Sequence, residues 1–245
     1  MLLLALSVAP CLAIAFYIYE RDKLDKEPRH LLVMCFILGI VSVSPALDIE
    51  EIAAKILEKI HVLPGSNWGY TFYYACMIAT AEELCKFGFV MWFAYPRKEF
   101  DEPFDGITYG VMIGMGFATL ENVLYVFQEK AFDEGVKVAL MRMFTAVPAH
   151  ATFAVLMGYF VGLAKFRRTH TRRLVFVGLM AAIIFHTAYD FFLFLKNQSF
   201  LVLGAFVSLV VAVFLSLHAM RLHQKNSPFA KSTSPTFESK LPEEL

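Results

Sequence analysis

Four apolar stretches of this chain carry groups that hydrocarbon does not tolerate singly. Glu82, Glu83 and Lys86 stand in one, and Glu121 beside Asn122 in the next; a third opens with Arg142 and contains His150, and a fourth holds His186 and Asp190. An Asp, Lys or Arg at the centre of a bilayer costs about 2.5–3.5 kcal/mol on the insertion scale, so such a set must face inward and compensate itself. Glu82 and Lys86 are four residues apart and share a helix face, as are His186 and Asp190. Glu83 lies about 100° round from Glu82, so the two carboxylates can do different jobs. Taken singly, each group has a bland use: a Glu–Lys pair as packing glue, a histidine as a structural donor, Arg142 as a snorkelling helix end. Together, on four successive stretches, they point to a pocket.

The chemistry follows from what is present. There is no H-E-x-x-H and no G-x-S-G serine element, so neither a zincin helix nor a serine nucleophile is in view. Carboxylates and imidazoles without a side-chain nucleophile suit the activation of water. Two arrangements remain open: a glutamate acts as general base with histidine stabilising the oxyanion, or Glu121, His150 and His186 hold a metal, with zinc the candidate, that lowers the pKa of bound water.

The elements that must position these groups are membrane helices. Of the 245 residues 58% are apolar, and the mean hydropathy is +0.57, too high for an ordinary soluble domain. The 22 basic and 22 acidic residues balance, which gives no case for a nucleic-acid partner. The four cysteines lie in apolar stretches without a C-x-x-C pair and imply neither disulfides nor a cysteine metal site. Seven windows are long enough to span, at 1–19, 31–47, 68–95, 106–127, 141–164, 174–195 and 199–219. The expected fold is all-α and polytopic, one transmembrane domain over 1–222 with a four-helix core at 68–195 formed by spans three to six. Between spans two and three, Asp48 to Leu63 reads as a separate amphipathic helix lying in the interface, capped by Asp48 and stopped by Pro64-Gly65. The polar segment 223–245 reads as a disordered tail. Val8-Ala9-Pro10-Cys11 has proline before the cysteine and makes a poor lipoprotein box, so the first span is expected to stay uncleaved. With seven spans, fifteen Lys and Arg fall on the side of the C-terminus and six on the other, which puts the N-terminus outside and the C-terminus in the cytoplasm.

At these same residues the sequence resembles the PrsW family of multi-pass bacterial proteases, relatives of the type II CAAX prenyl endopeptidases. The family's E-E-x-x-K stands as Glu82-Glu83-Leu84-Cys85-Lys86, its F-x-x-x-E as Phe117-Ala118-Thr119-Leu120-Glu121, and its H-x-x-x-D as His186-Thr187-Ala188-Tyr189-Asp190. The stretch from Arg142 through His150 to Gly158 is similar to the family's segment between its last two motifs. The resemblance implies intramembrane proteolysis in a bacterial cell membrane, with Glu82, Glu83, Lys86, Glu121, His150, His186 and Asp190 in the catalytic set and Phe117, Asn122 and Arg142 in support. It implies as substrate a membrane-anchored protein of the single-pass anti-sigma factor type, cut first at site 1 during envelope stress. Two other classes compete. Chains of Glu, His and Asp also carry protons through transporters, although the inverted repeats common there are missing. A non-catalytic scaffold would keep the polar core for packing alone, and would tolerate Glu83→Gln.

Overall fold

The structure, a computed structural model, describes residues 1–60, 67–167, 169–195 and 199–230, and among them there is no strand. The helices are α1 (Leu2–Arg21), α2 (Arg29–Ile60), α3 (Asn67–Phe89), α4 (Pro103–Gln128), α5 (Phe132–Phe144), α6 (Ala146–Phe166), α7 (Thr171–Phe194) and α8 (Ser199–Lys225), with a π-turn over Val90–Ala94 prolonging α3. By length and composition six helical stretches can cross a membrane, with α5 and α6 counted as one stretch, Phe132–Phe166. The seventh long helix, α3, is long enough but concentrates Glu82, Glu83 and Lys86 in its C-terminal half. The chain is an all-α, multi-pass membrane protein.

Three boundaries differ from the sequence expectation. Asp48 does not start a new helix. α2 runs unbroken through Pro45 and Asp48 to Ile60, and Ile49, Ile52 and Ile56 are exposed along its outer flank, in helical phase with one another. The expected Pro64-Gly65 stop lies outside the described residues. The second difference is within 128–144, read as a charged connection followed by span five. Here α5 forms a helix of its own, and α6 begins only at Ala146 because Pro148 has no N–H for the Phe144 carbonyl and its ring crowds that turn. Thirdly, the boundary expected at Leu222 falls inside α8, which continues to Lys225. The His223 ring donates to the Tyr159 carbonyl at 2.9 Å, and Gln224 Nε2 donates to the Arg21 carbonyl at 2.6 Å. Residues 231–245 lie outside the described residues.

The packing axis is α4 against α6. Every residue from Pro103 to Thr119 is buried, so this stretch is wrapped on all sides, consistent with its small and apolar composition. Small residues let the backbones touch: a Cβ on Gly158 would stand 2.2 Å from the Gly106 carbonyl oxygen, and one on Gly162 2.1 Å from that of Pro103. In hydrocarbon, where water no longer drives helices together, such close contact is a main source of association. On the other flank of α4 the same device seats α2, with a Gly116 Cβ 1.9 Å from the Phe36 carbonyl oxygen. α2 therefore shares the packing core that the sequence assigned to spans three to six. The two remaining core helices, α3 and α7, pair with each other and close the polar side of α4 and α6.

Candidate active site

Lys86 is the hub. Its ammonium donates to Glu83 Oε1 at 2.8 Å, to Glu82 Oε2 at 3.0 Å and to His150 Nδ1 at 3.1 Å, and lies 4.0 Å above the Phe117 ring. The i,i+3 and i,i+4 spacing on α3 brings both carboxylates to one lysine. His150 is placed by the start of α6, just beyond the break at Thr145. Because an ammonium only donates, Nδ1 of His150 accepts, and Nε2–H is left to donate to Glu121 Oε2 at 2.7 Å. Glu121 Oε2 also accepts from Arg142 Nη2 at 2.7 Å, while Arg142 Nε donates to Asn122 Oδ1 at 2.7 Å. Asn122 in turn reaches the Ser7 carbonyl on α1 through Nδ2, at 3.2 Å. Arg142 does not snorkel: it is buried by 91%, and its guanidinium lies over Tyr125 at 4.2 Å.

From α7, His186 Nδ1 meets Glu83 Oε1 at 2.9 Å, and Nε2 has Asp190 Oδ2 at 3.4 Å and Glu82 Oε2 at 4.0 Å. The ring stacks on Phe153 with centroids 4.7 Å apart and meets His150 edge-on at 5.3 Å. All ten residues singled out in the sequence thus fall into one network contributed by α3, α4, α5, α6 and α7. Among the positions not singled out in the sequence are Phe153 under His186, Tyr125 under Arg142, and Tyr74 and Ile78 in the cavity wall. The signal was helical spacing, since Phe153 is three residues past His150 and Tyr125 four past Glu121.

A cavity of about 570 Å³ opens onto this network. Glu82, Glu121, Arg142, His150, His186 and Asp190 form its polar wall, and Tyr74, Tyr125, Phe153 and Phe194 contribute aromatic surface. Glu83 and Lys86 are absent from the lining and sit behind Glu82. Glu82 Oε2 is held by Lys86, and its other oxygen takes no hydrogen bond among the described residues.

Donor atoms of Glu82, Glu83, His150 and His186 all lie within 4.8 Å of one another. Two imidazoles and two carboxylates are a donor set that suits a divalent transition ion. The set differs from the expected ligands Glu121, His150 and His186 in holding Glu82 and Glu83 and not Glu121. Glu121 Oε2 accepts from both Arg142 and His150 Nε2. Lys86 occupies the centre of three of the four donors as a positive charge of its own, so an ion held by them requires its withdrawal.

The sequence matches the family model described as PrsW family intramembrane metalloprotease over residues 27–220. It is 33% identical over 205 residues to a protein named Protease PrsW from Geobacillus kaustophilus, covering 84% of this chain and 85% of that one. The protein of the same name from Bacillus subtilis is 34% identical over 194 residues, covering 78% and 82%. That from Oceanobacillus iheyensis is 30% identical over 226 residues, covering 92% and 97%. No solved structure matches the chain.

Proposed function

Given that this chain belongs to the PrsW family of intramembrane metalloproteases and is a membrane-embedded protease, we propose that Glu82 is the general base of its peptide hydrolysis. The observation that carries this assignment is the split between the two adjacent glutamates: Glu82 lines the cavity with one oxygen unengaged, whereas Glu83 is spent on Lys86 and His186 behind it. Glu82 takes a proton from a water in the cavity as that water attacks the scissile carbonyl, and returns it to the departing amine. Arg142, whose Nη1 is committed neither to Glu121 nor to Asn122, presents N–H groups to the side where the oxyanion develops, while His186 is held by Glu83 through Nδ1 and by Asp190 through Nε2. His150 holds Lys86 and Glu121 in register and keeps the wall rigid. Glu83, His150 and His186, three of the four gathered donors, would hold a Zn²⁺ ion and leave Glu82 free as the base, and when bound the ion would supply a Lewis acid and a water of lowered pKa.

The substrate we assign is a membrane-anchored, single-pass protein of the anti-sigma factor type, given its first cut during envelope stress. The charge distribution of the loops supports an N-terminus outside and a C-terminus in the cytoplasm. In that orientation Glu121, late in α4, His150, early in α6, and His186, late in α7, share the outer half of the bilayer, and the cavity meets a substrate near its outer membrane boundary.

The experiment is cleavage of a single-pass reporter by purified protein in liposomes. Glu82→Gln should lower turnover by about 10²–10⁴-fold, the usual contribution of a positioned base. His150→Ala and His186→Ala should nearly abolish it, and pairing either with Glu82→Gln should add little, since residues acting as a unit are not additive. Near-normal turnover by Glu82→Gln removes that residue from the role.

A further inference from the structure

About 24 Å along α4 from Glu121, at 1.5 Å per residue, a second set of acidic residues is buried that the hydrolysis does not use. Asp22 and Glu27 come from the connection between α1 and α2, and Glu102 and Asp105 from the start of α4; none is more than 5% exposed. Thr108 Oγ1 donates to Asp22 Oδ2 at 3.3 Å, the Tyr109 hydroxyl donates to Glu27, and the Ser227 hydroxyl, just past α8, donates to Glu102. Asp105 Oδ2 accepts the backbone N–H groups of Asp101 and Glu102 at 2.8 and 2.7 Å, which fixes the entry into α4.

The remaining oxygens are the telling ones. Asp22 Oδ1 and Asp105 Oδ1 are fully enclosed and have no donor. Their neighbours are the other carboxyls: Asp105 lies within hydrogen-bonding reach of Glu27, and Asp22 of Glu102. Ionised carboxylates offer one another only acceptors, and two in contact cannot both keep their charge. No lysine or arginine makes a hydrogen bond or ion pair to these four groups among the described residues. Lys165 on α6, which feels the charge of Asp105 and Glu27, spends its ammonium on the carbonyls of Tyr95 and Arg97 at 2.7 and 2.8 Å. Asp25 and Asp101 around the cluster add negative charge, and the thiol of Cys35 approaches it from α2. A proton in each pair supplies the missing donor and removes the charge.

We propose that this cluster is a proton-binding latch: shared protons in the pairs Glu27–Asp105 and Asp22–Glu102 clamp the segment following α8, through Ser227, onto the start of α4. The latch ties together three parts of the chain far apart in sequence: the α1–α2 connection, the start of α4 and the segment that follows α8. Burial, and then the neighbouring Glu102 and Glu27, push the Asp22 carboxyl up to about 8, and burial also raises Glu27 and Glu102 above the usual carboxylate range. The proton shared by Asp22 and Glu102 is therefore held near pH 6 and lost towards pH 9, where repulsion between the two carboxylates drives the segment off.

Amide hydrogen exchange on the full-length protein tests this. Protection of the amides of Asn226, Phe229 and Ala230, corrected for the intrinsic pH dependence of exchange, should fall at least tenfold between pH 6 and pH 9. Amides of α4 between Val111 and Thr119 should not change. Asp22→Asn combined with Glu102→Gln supplies neutral groups with donors of their own, and should keep the segment protected at pH 9. Constant protection of the unaltered protein across this range overturns the latch. So does loss of protection at pH 6 on adding a chelator, which would assign the site to a divalent cation in place of protons.

Discussion

Removing the Arg142 guanidinium should damage both stability and catalysis, by amounts that the geometry sets. Arg142 makes two short hydrogen bonds, to Glu121 Oε2 and Asn122 Oδ1, from a position that is 9% exposed. Arg142→Ala leaves Glu121 as a buried carboxylate whose one remaining partner is neutral His150. Breaking a buried ion pair from one side costs about 3–5 kcal/mol, and at roughly 2–4 °C per kcal/mol for a chain of this size the melting temperature should drop by roughly 6–20 °C. Glu121 also fixes His150 through Nε2, and a shift of about 1 Å at a reacting group costs on the order of 10²-fold in rate. Arg142→Lys keeps the charge but cannot span both acceptors, and should fall between the two. Thermal unfolding in detergent and reporter cleavage in liposomes provide the readouts. A double-mutant cycle with Glu121→Gln should give a coupling of about 2 kcal/mol or more, within the range seen for contacting residues. An Arg142→Ala protein with an unchanged melting temperature and cleavage within twofold of normal would refute the reasoning, because it would mean that the side chain reaches the interface and leaves Glu121 supported otherwise.

Three further outcomes are expected. Gly158→Ala places a Cβ 2.2 Å from the Gly106 carbonyl oxygen, so α4 and α6 must separate; the overpacking should cost about 1–3 kcal/mol or more and depress cleavage, while Gly88→Ala, with open space around it, should leave both unchanged. Raised carboxyl pKa values at Asp22, Glu27 and Glu102 mean that the folded protein holds more protons than the unfolded chain above about pH 4; stability should therefore fall as pH rises from about 4 to 8, and Asp22→Asn should flatten that slope in thermal melts. Exhaustive metal depletion should abolish cleavage, with zinc restoring it; full activity in a metal-free preparation would leave Glu82 to act on water without an ion.

Much of the site was legible because the bilayer makes polar residues conspicuous. In a chain with this hydropathy, Glu82, Glu83, Lys86, Glu121, His150, His186 and Asp190 stand out against their surroundings, and helical spacing alone pairs Glu82 with Lys86 and His186 with Asp190. Composition and window length likewise settle the all-α, multi-pass class. Tertiary structure decided what lies between helices. Spacing could not say that Glu82 faces the cavity while Glu83 turns behind it, since the two differ by a rotation whose origin is set by how α3 packs on α7. Nor could it tell that Arg142 pairs with Glu121 and Asn122, or that donor atoms of Glu82, Glu83, His150 and His186 gather within 4.8 Å of one another. The unbroken α2 and the Thr145 break depend on local backbone context, where Pro45 is accommodated within a helix and Pro148 stands in the first turn of one. The second carboxyl cluster was hidden for a related reason: Asp22, Glu27, Glu102 and Asp105 look like solvated loop charges in sequence, and only the approach of the α1–α2 connection, the start of α4 and the end of α8 takes them out of water.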